Sequence, residues 1–177
     1  MPTVTNDPVP VAHGSTAEAT LAWSVAPNIW DQYADWDGRG DVYQIDQRMT
    51  DITFTPASAL IKITVQDFEL DEYTGGGATN CLWSVTGSSS GLIASGNWTD
   101  FFVANGGRSL VTANATGAPG ETLTLAFDHS GSMGYISYLA MDNLTFLSMV
   151  VPEPATAVLA WMGVGGLGAL AMRRKRK

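Results

Sequence analysis

Eighteen consecutive uncharged residues, Ala155 to Met172, run directly into Arg173, Arg174, Lys175, Arg176 and Lys177. No other feature constrains the chain as strongly. A helix over that run, rising 1.5 Å per residue, is about 27 Å long, close to the roughly 30 Å hydrocarbon core of a bilayer. A basic cluster directly after an apolar span stays on the cytoplasmic side, so the reading is a single C-terminal transmembrane helix with the body of the protein exported. The alternative, a buried C-terminal helix of a globular domain, suits five terminal cations poorly. Gly163, Gly165, Gly166 and Gly168 weaken a helix in water but are common in membrane helices. The rest of the chain has the opposite charge: the first 154 residues hold all 17 acidic side chains and four basic ones, a net −13. Such a body repels phosphate backbones, which argues against nucleic acid as a partner. With one cysteine in 177 residues, an intrachain disulfide framework and a cysteine-based zinc cluster are both excluded.

Between about Ala17 and Met149, runs of period-two alternation are separated by turn residues. Ala19–Val25 alternates until Ala26-Pro27-Asn28. Asp51–Pro56 alternates, and Ala59–Leu70 resumes after a turn at Pro56-Ala57-Ser58. In the latter run Ile61, Ile63 and Val65 form the core-facing set. Cys81–Val85 and Leu92–Gly96 flank Gly87-Ser88-Ser89-Ser90-Gly91, a hairpin loop, and Ser109–Thr112, Thr122–Phe127 and Tyr135–Phe146 bring the expected total to eight or nine strands. No sustained three-and-four spacing and no alternation of strands with helices is present. The expected fold is therefore all-β, an antiparallel two-sheet β-sandwich of jelly-roll type. Residues 1–17 lack periodicity and read as a disordered leader, 18–149 as the sandwich and 150–177 as the C-terminal segment. The leader has neither a basic start nor an apolar core, so a secretion signal is expected to be encoded upstream of Met1.

Two resemblances refine this reading. Val151-Pro152-Glu153-Pro154-Ala155-Thr156, the apolar run and the terminal Arg/Lys cluster together resemble the PEP-CTERM sorting signal of bacterial surface proteins, with Pro152-Glu153-Pro154 matching its hallmark triplet. The resemblance implies processing near the triplet by an exosortase, a membrane-embedded transpeptidase-like enzyme, followed by surface attachment or release. Prolines resist helix formation and would keep the triplet extended beside the membrane. The plainer alternative is a Pro-bounded linker before a permanent anchor. Further upstream, Tyr138–Phe146 with its Met141-Asp142-Asn143-Leu144 core, Gly120–Leu125 and Ile52–Pro56 resemble strands of galactose-binding-like and carbohydrate-binding jelly rolls. That resemblance implies a fold more than an activity.

The densest acidic cluster, Asp35-Trp36-Asp37-Gly38-Arg39-Gly40-Asp41, has oxygen ligands spaced around glycines, as calcium requires. It is not an EF-hand: Arg39 takes a ligand position and Asp46 replaces the closing Glu. Two readings stand, a structural calcium loop using Asp35, Asp37 and Asp41, and a solvated Asp/Gly turn. By resemblance to calcium-bearing sugar-binding sandwiches, Asp142 is a further metal ligand; otherwise it bonds backbone amides. Trp30, Tyr33 and Trp36 form the candidate platform for stacking sugar rings, whereas Trp23 and Trp83 lie in strand-like runs and read as core. Catalysis is not expected. His13 lies in the leader, and Asp128-His129-Ser130 are adjacent and cannot form a nucleophile-base-orienter chain. Asp67, Glu69 and Asp71 share one strand face and read as a solvated row, and Cys81 as a small buried hydrophobe. The expectation is an exported, membrane-tethered structural or adhesive protein of the cell surface or extracellular matrix. Its partners would be an exosortase, the membrane and extracellular polysaccharide; a carbohydrate-binding module is the alternative and a small glycan-active hydrolase the third reading.

Overall fold

Successive side chains of an extended chain point to opposite faces, so each alternating run can bury one face and wet the other. In the structure, a computed structural model, residues 6–8, 14–24, 28–30, 42–45, 50–72, 79–100, 109–128 and 139–153 are described. They form eleven strands: β1 (Asn6–Pro8), β2 (Ala19–Trp23), β3 (Asn28–Trp30), β4 (Val42–Ile45), β5 (Thr50–Pro56), β6 (Ile61–Glu72), β7 (Thr79–Gly87), β8 (Gly91–Asp100), β9 (Ser109–Thr116), β10 (Leu123–Asp128) and β11 (Leu139–Val150). They pair antiparallel into a six-stranded sheet, β1-β3-β4-β11-β6-β9, and a five-stranded sheet, β2-β5-β10-β7-β8. The eight runs expected from alternation are all strands, and Ser88–Ser90 form the expected hairpin loop. Strands β1, β3 and β4 were not anticipated, because three or four residues are too few to display a period. One of them, β1, begins the six-stranded sheet inside the stretch read as a leader. Among the described residues no helix is long and apolar enough to cross a membrane; the expected span, 155–172, lies outside them.

The two sheets pack face to face through aromatic edges. Phe54 of β5 meets Phe146 of β11 at 5.4 Å, and Phe68 of β6 meets both Phe127 of β10 at 5.3 Å and Trp83 of β7 at 5.7 Å, all edge-to-face. Around them Ile52, Ile63, Val65, Leu70, Val85, Leu123 and Leu125 are fully buried. Ile61, Ile63 and Val65 face inward as the alternation required. Beyond Gln66 the phase changes, and Phe68 and Leu70 take over the core face. The cause is a set of β-bulges: the register of β6 shifts against β9 between Val65 and Asp67, and against β11 between Asp142 and Phe146. Each bulge places an asparagine in the left-handed region, Asn114 at φ 46° and Asn143 at φ 50°. Asparagine tolerates that conformation better than most residues.

A second device closes one end of the sandwich. The chain crosses between sheets twice there, at the β5–β6 connection and at the β9–β10 turn, beside the β7–β8 hairpin. Glu121, only 4 % exposed, reaches from the β9–β10 turn into that hairpin. Its Oε1 accepts bonds from the Ser89 amide and hydroxyl (2.8 Å each) and the Ser90 amide (2.6 Å). Its Oε2 accepts from the Ser90 hydroxyl (2.8 Å) and the Ala118 amide (2.7 Å). The Ala118 amide, the Ser89 hydroxyl and the Ser90 and Ser89 amides hold this carboxyl far below its ordinary range against the opposing effect of burial. The space is cut to fit: a Cβ on Gly87 would collide with Oε1 of Glu121. Gly120, at φ +75°, brings its backbone against Ala59 and donates its amide to the Ile61 carbonyl at 2.8 Å.

Two outcomes follow. Phe68→Ala empties a site bounded by two aromatic rings and is expected to cost about 3–5 kcal/mol in denaturant unfolding. Glu121→Gln is expected to lower the melting temperature at neutral pH. Because the folded carboxyl titrates below its ordinary value of 4.5, the stabilisation is complete above that pH and fades as pH falls through the lower folded value. The difference in melting between wild type and Glu121→Gln should therefore narrow on acidification below about 4.5.

Candidate functional site

The C-terminal junction is built on β11. Val150, its last residue, pairs with Ile61, the first residue of β6, and the Val151 amide donates to the Leu60 carbonyl at 2.7 Å. Val151 is half-buried, and Pro152 and Glu153 are exposed immediately after it. The fold thus runs to within one residue of the Pro-Glu-Pro triplet. Pro152 has no amide to extend the ladder, which ends pairing at that point. Pro154, and Arg173, Arg174, Lys175, Arg176 and Lys177, lie outside the described residues.

The proposed calcium ligands Asp35, Asp37 and Asp41 also lie outside them, as do Tyr33 and Trp36 of the aromatic platform. Trp30 is placed by its backbone alone, paired with Asn6 and Val42 in β3. Asp142 sits on β11, opposite Glu69 of β6. Its Oδ1 accepts the Asn143 amide at 2.7 Å, and Asn143 Nδ2 donates to Glu69 Oε2 at 2.9 Å. Here Asp142 fastens a bulge. No group of three His, Cys, Asp or Glu able to hold a metal occurs among the described residues. Trp23 and Trp83 are core as expected, and Trp98 joins them, 5 % exposed. Asp67 and Glu69 lie on the outward phase of β6, opposite Phe68 and Leu70. Cys81 is fully buried; burial first, and then the negative charge of Asp128, push its thiol up to about 12.

Two of the concavities formed by described residues carry polar groups. One, of about 480 Å³, lies on the five-stranded sheet, where Leu82 and Leu92, 51 % and 64 % exposed, flank Ser84, Ser95 and Asp128. The other, of about 290 Å³, opens between Leu21 and Trp23 of β2 and Met141, Leu144 and Phe146 of β11, with Asp142 and Asn143 among its lining. Sequence reasoning did not single out the first. Its signal was Leu82 on the otherwise polar phase of β7; Leu92 joins that face only through the register shift between Val85 and Thr86.

Comparison with known proteins identifies the C-terminal segment. Residues 150–177 match the PEP-CTERM protein-sorting motif, so the chain carries the sorting signal of an exosortase-targeted surface protein. No curated protein matches the sequence. Among solved structures, a cyclase from Fischerella sp. TAU in complex with 4-(1H-indol-3-yl)butan-2-one is similar at TM-score 0.45 and 10 % identity, over 84 % of this chain and all of that one. The arabinose-bound α-L-arabinofuranosidase MgGH51 is similar at TM-score 0.43 and 6 % identity, over 81 % of this chain and 25 % of that one. A CBM4 structure is similar at TM-score 0.28 and 11 % identity, over 64 % and 92 % respectively. Likeness at this level carries no information about ligand or reaction.

The environment of Cys81 gives a direct check on the packing at this sheet. At pH 8 a thiol reagent should leave the native protein unmodified and should react with one thiol per chain once denaturant unfolds it.

Proposed function

We propose that this chain is the precursor of an exported structural or adhesive protein of the cell envelope or extracellular matrix, processed by an exosortase near Pro152-Glu153-Pro154. One observation carries the reading: a sorting motif matched over 150–177 continues directly from the last strand of an all-β sandwich. The apolar run 155–172 would be a temporary transmembrane helix, with Arg173–Lys177 held in the cytoplasm by the positive-inside effect. Loss of the tail would leave β11 whole, since its pairing with β6 ends at Val150. We class the sandwich with jelly rolls, supported by its two chain crossings at one end, and assign it no catalytic step.

A second reading, contact with polysaccharide, is favoured by the concavity on the five-stranded sheet. Exposed Leu82 and Leu92 would lie against the apolar faces of sugar rings, with Ser84, Ser95 and Asp128 bonding hydroxyls. Calcium at Asp35, Asp37 and Asp41 remains part of the proposal and would show as raised melting on addition of the ion.

Mass spectrometry of the mature protein from cells containing an exosortase tests the first reading. The expected product ends near the triplet and lacks 155–177, and replacing Pro152 and Pro154 by Ala should leave the precursor intact. An intact tail in the mature wild-type protein would refute processing. For the second reading, retention on insoluble glycans should fall when Leu82→Glu or Asp128→Ala is introduced.

A further inference from the structure

The turn end of the sandwich, where β11 leaves the fold, differs chemically from the opposite end. Val150 pairs with Ile61 and Val151 is bonded to the Leu60 carbonyl, so only Pro152, Glu153 and Pro154 separate a bonded residue from the apolar run. Three residues, even fully extended, reach about 10 Å. The headgroup layer alone takes up about 5–8 Å of that, the difference between a full bilayer and its hydrocarbon core. A domain on so short a leash cannot tumble freely above the surface.

Among the described residues the charges are sorted along the same axis. Lys62, the one Lys or Arg among the described residues, is the second residue of β6, at the turn end. Asp67, Glu69, Asp71 and Glu72 occupy the rest of that strand, and Asp142 pairs with Glu69. At about 3.3 Å per residue, Glu69 to Glu72 stand about 26–36 Å from Ile61. That is more than three Debye lengths at physiological salt, about 8 Å each. Among the described residues, the acids at the turn end are Glu18, exposed; Glu153, in the leash; and Glu121, whose carboxylate is enclosed by five donors. Apolar side chains are exposed there: Leu60, Leu92, Leu147, Met149 and Val150 are five of the seven large exposed hydrophobics among the described residues.

We propose that in the tethered precursor this end, formed by Pro56–Leu60, Ser88–Ser90 and Met149–Val150, lies against the lipid headgroups, with the acidic end pointing away. The inference rests on the reading of 155–172 as a membrane span. Leash length sets the distance, and charge sorting sets the polarity: the opposite orientation would bring the carboxylates of β6 to a surface that repels them if anionic. Leu60, Met149 and Val150 can enter the interfacial layer at the rim of that contact.

The test uses the full-length chain reconstituted into vesicles of phosphatidylcholine and phosphatidylglycerol carrying a headgroup-attached quencher. Ala57→Cys, Ser88→Cys and Asn97→Cys are each labelled with a fluorophore; all three positions are exposed and Cys81 is buried. Labels at 57 and 88 are expected to lose most of their emission, and the label at 97 very little. Inserting about ten Gly/Ser residues after Val151, a coil of roughly 17 Å, should restore much of the emission at 57 and 88. Flotation separates the two possible failures. Chains that do not float with the vesicles refute the membrane span. Chains that float with equal emission at all three positions refute the orientation. Quenching at 57 and 88 that requires a co-reconstituted exosortase would assign this end to a protein partner and overturn the lipid assignment.

Discussion

One carboxylate holds together the end of the fold on which everything else depends. Glu121 accepts five hydrogen bonds from the Ser88–Ser90 hairpin loop and from its own turn. Those contacts fix the β7–β8 hairpin against the β9–β10 crossing. Gly120 then ties that crossing to the first residue of β6, and Ile61 is the partner of Val150. A buried anion is tolerable because every oxygen is saturated by amides and hydroxyls, and it is intolerant of losing them. The result is a chain of direct contacts from a buried charge to Val150, the last residue of β11.

Continuity between fold and motif has a physical consequence. A flexible linker would let a sorting enzyme reach its triplet independently of the domain. Here the ladder of β11 continues through Val150, and one further bond, from the Val151 amide to the Leu60 carbonyl, fixes the next residue. In the proposed processing, recognition of Pro152-Glu153-Pro154 would therefore take place beside a folded surface, and the dimensions of that surface would limit the approach. The acidic composition of the body, net −13 over 154 residues, is compatible with such proximity because the carboxylates of β6 lie toward the far end.

Much of this was legible in the chain because the informative signals are local. Alternation in Ala59–Leu70 and Thr122–Phe127 gave strands and core faces, and the C-terminal signal needs no folding to be read. The features that escaped are those created by pairing. The change of phase at Val65-Gln66-Asp67 shows in the sequence as apolar positions moving from 61, 63 and 65 to 68 and 70, but not the bulges that accommodate it, with the asparagines at 114 and 143 on the two neighbouring strands. β1, β3 and β4 are held by partners distant in sequence and carry no periodicity of their own. Glu121 carried no role in the sequence reading, although an acid directly after the turn Gly117-Ala118-Pro119-Gly120, with a serine-rich loop elsewhere, was a usable hint. The Leu82–Leu92 concavity likewise exists only once β7 and β8 are side by side.

The central claim is that order persists from the sandwich core to the edge of the triplet. Hydrogen exchange of the full-length chain in lipid nanodiscs, read by peptide from β11 through Glu153, measures it most directly. The account predicts slow exchange through the Val151 amide, comparable to the paired amides of β6. Exchange at an unprotected rate from Ser148 onward would show that the last strand is frayed, and would contradict both the rigid junction and the orientation built on it.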